Sequence, residues 1–66
     1  MQILLNGESR EVAPDATVEM LLAEIDLGEK RFAVEINERL VPRSTFAQQA
    51  LAEGDRVEIV TAIGGG

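Results

Sequence analysis

The sequence predicts an α+β domain: a mixed sheet of about five strands packed on one main helix, with a short second helix. Three observations carry this expectation. Short segments with apolar residues at alternate positions are bounded by Asn-Gly, Asn-Glu and Gly-Asp turns. One segment repeats its apolar residues at helical spacing. The last strand-like segment has no turn that would pair it locally, so its neighbours must come from elsewhere in the chain.

The stretch "MQILL" alternates Met1, Ile3 and Leu5 against Gln2 and Leu4, which predicts a strand with one buried face. Asn6-Gly7 then signals a tight hairpin, because both residues tolerate positive φ. "SREV" returns antiparallel and brings Val12 back to the core, and Pro14-Asp15 breaks the sheet. Thr17 is a good N-cap, its hydroxyl placed to accept from an orphan backbone N–H. Behind it, Val18, Leu21, Leu22 and Ile25 fall on one stripe of a helix, with Gly28 expected at C′.

Strand pattern resumes in "RFAVEINERLVPR", where Phe32, Val34 and Ile36 alternate with Ala33 and Glu35. Asn37-Glu38 marks a turn into Leu40-Val41, and Pro42 forbids a longer central strand. Ser44 or Thr45 is placed to cap a short helix, "FAQQALAE", with Phe46, Ala50 and Leu51 inward and Gly54 at its end. Asp55 opens the last turn. In "RVEIVTAI", Val57 and Ile59 alternate with Arg56 and Glu58. The final strand needs neighbours on both sides and is expected at the centre of the sheet. A hairpin, a right-handed crossover through a helix and a closing central strand make the β-grasp arrangement of ubiquitin. The domain is expected to span residues 1–63, followed by a flexible glycine tail at 64–66.

Composition bounds what such a domain does. At 66 residues the core is thin, and without cysteine no disulfide or thiolate site supports it. There is no histidine, so the usual general base near neutral pH is missing. Twelve acidic against six basic residues give a net charge of −6, which repels nucleic-acid phosphates and anionic membranes. Trp and Tyr are absent, so no base-stacking platform is visible. A partner with a basic docking face is the natural counterpart. The opening apolar run ends after five residues, far short of the roughly 20 that a membrane span needs. A cytoplasmic protein that binds neither nucleic acid nor membrane is therefore expected.

No glycine-rich loop joins a strand to a helix, so a phosphate cradle is not expected. No carboxylate sits at a recognisable metal-ligand spacing. Glu35 and Glu58 could act as acid and base only inside a cleft, which so thin a domain rarely has. No catalytic residue, metal site or cofactor of its own is therefore assigned. The remaining feature is Gly64-Gly65-Gly66. Without Cβ atoms, these glycines form a narrow thread able to extend through a tunnel. Its terminal carboxylate is inert at neutral pH until something activates it, for instance as an acyl adenylate open to sulfur or nitrogen nucleophiles. A glycine-rich end that merely frays is the other reading, and composition alone leaves both open.

On "MQILLNGE", "EIN", Val41-Pro42-Arg43, Gly54-Asp55 and the closing Gly65-Gly66, the chain resembles the thiamine-pathway sulfur carrier (ThiS) family over nearly its whole length. A third glycine, Gly64, stands where that family often carries another small residue. The resemblance implies a carrier and not a catalyst. An ATP-dependent activating enzyme would adenylate Gly66, with ATP and Mg²⁺ belonging to that partner. Sulfur from a cysteine desulfurase persulfide would then displace AMP, and the resulting thiocarboxylate would serve thiazole synthase. The rival readings are a small subunit of molybdopterin synthase, a protein modifier joined to lysine amines, and a plain interaction module.

Strand parity adds a docking surface. With Val57 and Ile59 inward, Val60 and Ala62 point to the opposite face of the sheet, where Leu4 also belongs. Leu4, Val60, Ala62 and the adjacent Ile63 are thus expected to form an apolar patch at the root of the tail.

Overall fold

The computed structural model describes residues 1–61, so Ala62, Ile63 and the tail glycines 64–66 lie outside the described residues. Five strands form one sheet: β1 Gln2–Leu5, β2 Glu8–Glu11, β3 Phe32–Ile36, β4 Arg39–Val41 and β5 Arg56–Thr61. Their order is β2-β1-β5-β3-β4. Adjacent strands run antiparallel except for the parallel pair β1–β5. The last strand in chain order is central, as its two-sided need for neighbours predicts.

Both hairpins turn on paired left-handed residues. Asn6 and Gly7 have φ of 49° and 85°, and Asn37 and Glu38 have φ of 51° and 70°. Positive φ at both central positions matches the right-handed twist of the flanking strands. Glycine suits this conformation at no steric cost, whereas Glu38 adopts it against a Cβ penalty.

The helix α1 covers Val18–Ala23 only, shorter than the stripe through Ile25 suggests. Its start is as expected: Thr17 Oγ1 accepts from the Met20 N–H at 3.2 Å. Its end differs. Glu24 is the C-cap, and the chain tightens through Glu24 N–H to Leu21 O and Ile25 N–H to Leu22 O, both at 3.1 Å. The last turn holds no basic residue, and Glu24 and Asp26 put negative charge at the negative end of the helix dipole. Asp26 Oδ1 also accepts the Gly28 N–H at 3.2 Å, a local turn that competes with further helix. Gly28, with φ of 59°, therefore serves that turn and not the C′ position.

The second helix expected over Phe46–Glu53 is also corrected. A single 3-10 turn spans Arg43–Thr45, and Ala50 instead forms an isolated bridge with Thr17. Gln49 O accepts from Val18 N–H and Leu51 N–H donates to Ala16 O, both at 2.9 Å. The backbone of this segment thus satisfies the start of α1, and tertiary hydrogen bonding overrides its helical pattern. Leu51 is buried, Phe46 is half-buried and Ala50 is exposed.

The core lies between α1 and one face of the sheet, with Ile3, Val18, Leu21, Val34 and Val57 as its largest fully buried side chains. Val12 rejoins it, while Leu22 and Ile25 pack at its margin. The opposite face of the sheet carries no covering element among the described residues. That open face positions the candidate site.

Candidate functional site

Cross-strand register decides which residues share the open face. Leu4 lies opposite Ser9 on β2 and Arg56 on β5. Further along β5, Glu58 lies opposite Glu35, which in turn faces Leu40 on β4. At the end nearest the tail, Val60 lies opposite Ala33. Leu4 and Val60 thus both take the open face, as strand parity predicts, and are 38% and 51% exposed.

They do not form one contiguous patch. Leu4 is level with Arg56, four residues back from Val60 along the strand, or roughly 13 Å at strand rise. The row containing Glu58 lies between them. Alternation specifies which face a side chain takes but not the stagger of neighbouring strands. Ala62, Ile63, Gly64, Gly65 and Gly66, the other expected site residues, fall outside the described residues.

Around Val60 the surface is specific in shape. Arg31, Phe32, Ala33, Val60 and Thr61 line a shallow depression of about 310 Å³. On the other side of β5 the Asn6-Gly7 turn, Glu58 and Ile59 border a second open groove with Val60 and Thr61. Val60 is thus a ridge between two depressions at the end of the last described strand. The closing rung there pairs Phe32 with Thr61.

That rung is held from the side. Arg43 donates from Nη2 to the Phe32 carbonyl at 3.1 Å, and its guanidinium lies 4.7 Å from the centroid of the Phe32 ring. Phe32 also stacks on Phe46, with centroids 6.4 Å apart and planes inclined by 18°. Extending the β3–β4 register by two residues would set Arg43 opposite Phe32. Pro42 turns the chain away into the 3-10 segment, and the Arg43 side chain satisfies the carbonyl that β4 leaves behind. Arginine suits this position because its planar group both stacks on the ring and donates in its plane.

The carboxylates Glu35 and Glu58 meet directly across β3–β5. They sit on an open sheet face, not in a cleft, so no sequestered acid–base pair results. Like charges in direct register cost about 0.2–1 kcal/mol. Among the described residues no group of three or more acidic side chains is arranged to hold a metal ion. No helix among them is long and apolar enough to cross a membrane.

Three surface features escape sequence reasoning. Leu40, at 68% exposure, is the most exposed large apolar side chain among the described residues. The "RLV" alternation against a buried Val41 carried that signal. Ala33 and Arg31 join Val60 only through the β3–β5 register, which no local pattern encodes.

Comparison with known proteins agrees with this architecture. The family described as ThiS matches residues 3–66. The sulfur carrier protein ThiS of Escherichia coli K12 is 36% identical over 66 residues, covering 100% of both chains. A thiazole synthase of Paramagnetospirillum magneticum is 46% identical over 66 residues, which is 100% of this chain but 20% of that protein. The crystal structure of a thiamine biosynthesis protein (ThiS) from Geobacter metallireducens superimposes with a TM-score of 0.83 at 30% identity, covering 100% of both chains.

Proposed function

The chain belongs to the ThiS family, and we propose on that premise that it is a sulfur carrier of thiamine biosynthesis working in the cytoplasm. Gly66 is the working residue, and its carboxylate is adenylated by an ATP-dependent activating enzyme. Sulfur derived from a cysteine desulfurase displaces AMP, and the thiocarboxylate then gives its sulfur to thiazole synthase. Gly64 and Gly65 thread the partner's channel, and the domain boundary falls after residue 63. Val60, with Ala62 and Ile63 following it, forms the docking ridge, and Leu4 marks the far margin of the same face.

The observation that carries this reading is the coincidence of family membership with a sheet whose central strand, β5, ends two residues short of the glycines in sequence. The similarity of the whole chain to a fifth of a thiazole synthase supports that enzyme as a partner, since a segment like this one occurs within the same polypeptide there. The chain contributes no acid, base or metal to the chemistry. It supplies a carboxylate and a surface that aims it, while nucleophile and nucleotide come from its partners.

The test is intact mass after incubation with ATP, the activating enzyme and a sulfur donor. Replacement of the terminal oxygen by sulfur adds about 16 Da, by the difference in atomic mass. Deleting Gly66, or adding one residue after it, abolishes that gain while leaving the melting temperature nearly unchanged, because a terminal glycine brings no side chain to a core. Sulfur gained by either variant would show that the terminal carboxylate is not the carrier group.

A further inference from the structure

The charge around the root of the tail opposes the charge of the molecule. The chain carries −6 overall, yet Lys30, Arg31 and Arg43 (three of its six basic residues) lie beside or against the closing Phe32–Thr61 rung. Among the described residues the ion pairs are those of the Met1 amine with Glu11 and of Arg10 with Glu24, so none of the three cations is paired there. Glu29 precedes them on the same turn without reaching ion-pair distance. Arg31 borders the apolar depression that contains Val60 and Ala33, and all three cations are exposed. Arg43 is fixed by the Phe32 ring and carbonyl, so less side-chain freedom is lost when a further group binds it.

We infer that Arg31 and Arg43, with Lys30 beside them, form a basic collar at the root of the tail that meets carboxylates on a partner protein at the mouth of its tail-binding channel. The partner's wider docking face is basic, to match the acidic body of this chain, but the rim of its channel is acidic. Two opposed charge zones on one face fix register in a way that a uniform field does not. A domain rotated on the partner would set its acidic body against the acidic rim. The inference rests on the carrier reading, because it needs the tail to enter a partner.

Arg31→Glu is the decisive variant: Arg31 is exposed and makes no side-chain hydrogen bond or ion pair among the described residues, so the fold is expected to survive. Its dissociation constant for the activating enzyme, titrated without ATP, is expected to rise about tenfold at low salt and to approach the wild-type value at high salt. Arg31→Lys is expected to bind nearly as wild type. Changing Asp and Glu residues around the partner's channel to Lys, one at a time, is expected to yield at least one that restores Arg31→Glu binding and weakens the wild type. Equal or tighter binding by Arg31→Glu, or a loss that salt does not reduce, overturns the collar. If wild type binds and gains sulfur while Arg31→Glu binds equally well, only the collar falls. If wild type does neither, the carrier reading falls and takes the collar with it.

Discussion

Asn6 and Asn37 hold the central strand from opposite sides with the same atom. Asn6 Oδ1 accepts the Ile59 N–H at 2.8 Å on the β1 side, and Asn37 Oδ1 accepts the Arg56 N–H at 3.0 Å on the β3 side. Each residue opens a left-handed turn, so its own carbonyl rotates away from the ladder that its strand was building. The side-chain amide then takes the place of that carbonyl for one more bond. Asn37 also donates from Nδ2 to Asp55 Oδ1 at 3.1 Å, tying the β3–β4 turn to the loop that launches β5. Asparagine thus serves both turn geometry and strand pairing.

Asn37→Ala is expected to cost about 1–3 kcal/mol, because it strands the Arg56 N–H and gives up a residue tolerant of positive φ. Its neighbour acts in the reverse sense. Glu38 sits at φ 70°, so Glu38→Gly is expected to gain up to about 1 kcal/mol despite the greater freedom of the unfolded chain. Urea unfolding of both variants checks the pair, and a stability loss in Glu38→Gly would show that the turn is not strained.

The two central leucines of α1 are expected to separate. Leu21 is 1% exposed, and Leu21→Ala is expected to cost about 2–5 kcal/mol, a large share of the total for so small a domain. Leu22 packs only against the margin of the core, and Leu22→Ala is expected to cost about 1–2 kcal/mol. Equal losses would mean that the helix is rolled about its axis, with both leucines buried alike.

On the open face, Val60→Asp is expected to weaken binding to both the activating enzyme and thiazole synthase by about tenfold, with circular dichroism unchanged. Leu40→Asp tests whether exposure alone explains such a loss. Leu40 is the more exposed of the two but lies at the β4 edge of the Glu35–Glu58 row, two strands and one outward-facing row away from Val60, so it is expected to leave both affinities intact. Matching losses would extend the docking surface over the whole sheet face.

Acid is expected to loosen one edge of the sheet. The Met1 amine, hydrogen-bonded and close to Glu11, lowers the Glu11 pKa from its ordinary value of 4.5. A depressed folded-state pKa contributes stability above the unfolded value, and that contribution is lost as pH falls through the folded one. The carboxylate is exposed, so salt screens the effect and keeps it small. Glu11→Gln is expected to lower stability slightly near neutrality and to flatten its fall below about pH 4.5, so that variant and wild type converge in acid. An unchanged acid slope would assign the dependence to other carboxylates.

Much of this fold was legible because its signals are local. Asn6-Gly7, Asn37-Glu38 and the Thr17 cap each declare a backbone conformation through their own chemistry, and alternation in β1, β3 and β5 declares a buried face. The end of α1 was misread for a local reason, the Asp26–Gly28 turn that competes with further helix, but the other misreadings share a long-range cause. Residues 46–53 carry a helical pattern, but the Gln49 carbonyl and the Leu51 N–H are claimed by the start of α1, some thirty residues earlier in the chain. Leu4 and Val60 share a parity, but their separation depends on where β1 meets β5. The basic surface at Phe32 was hidden for the same reason, since it depends on β4 ending where Pro42 turns the chain.

The central place of β5 also orders events during synthesis. Among the described residues β1–β2 and β3–β4 are two hairpins with no strand pairing between them, and within the sheet β5 is what joins them. An isolated hairpin is at best marginal in water, and α1 is too short to persist by itself. A nascent chain on the ribosome therefore has little to gain from structure until β5 has emerged, and its folding is governed by contacts distant in sequence. Folding is then close to all-or-none, and amide exchange in β5 is expected to report global unfolding and not local opening. The strand that leads to the tail is thus the one that certifies the domain: a chain truncated before β5 has no sheet to offer a partner.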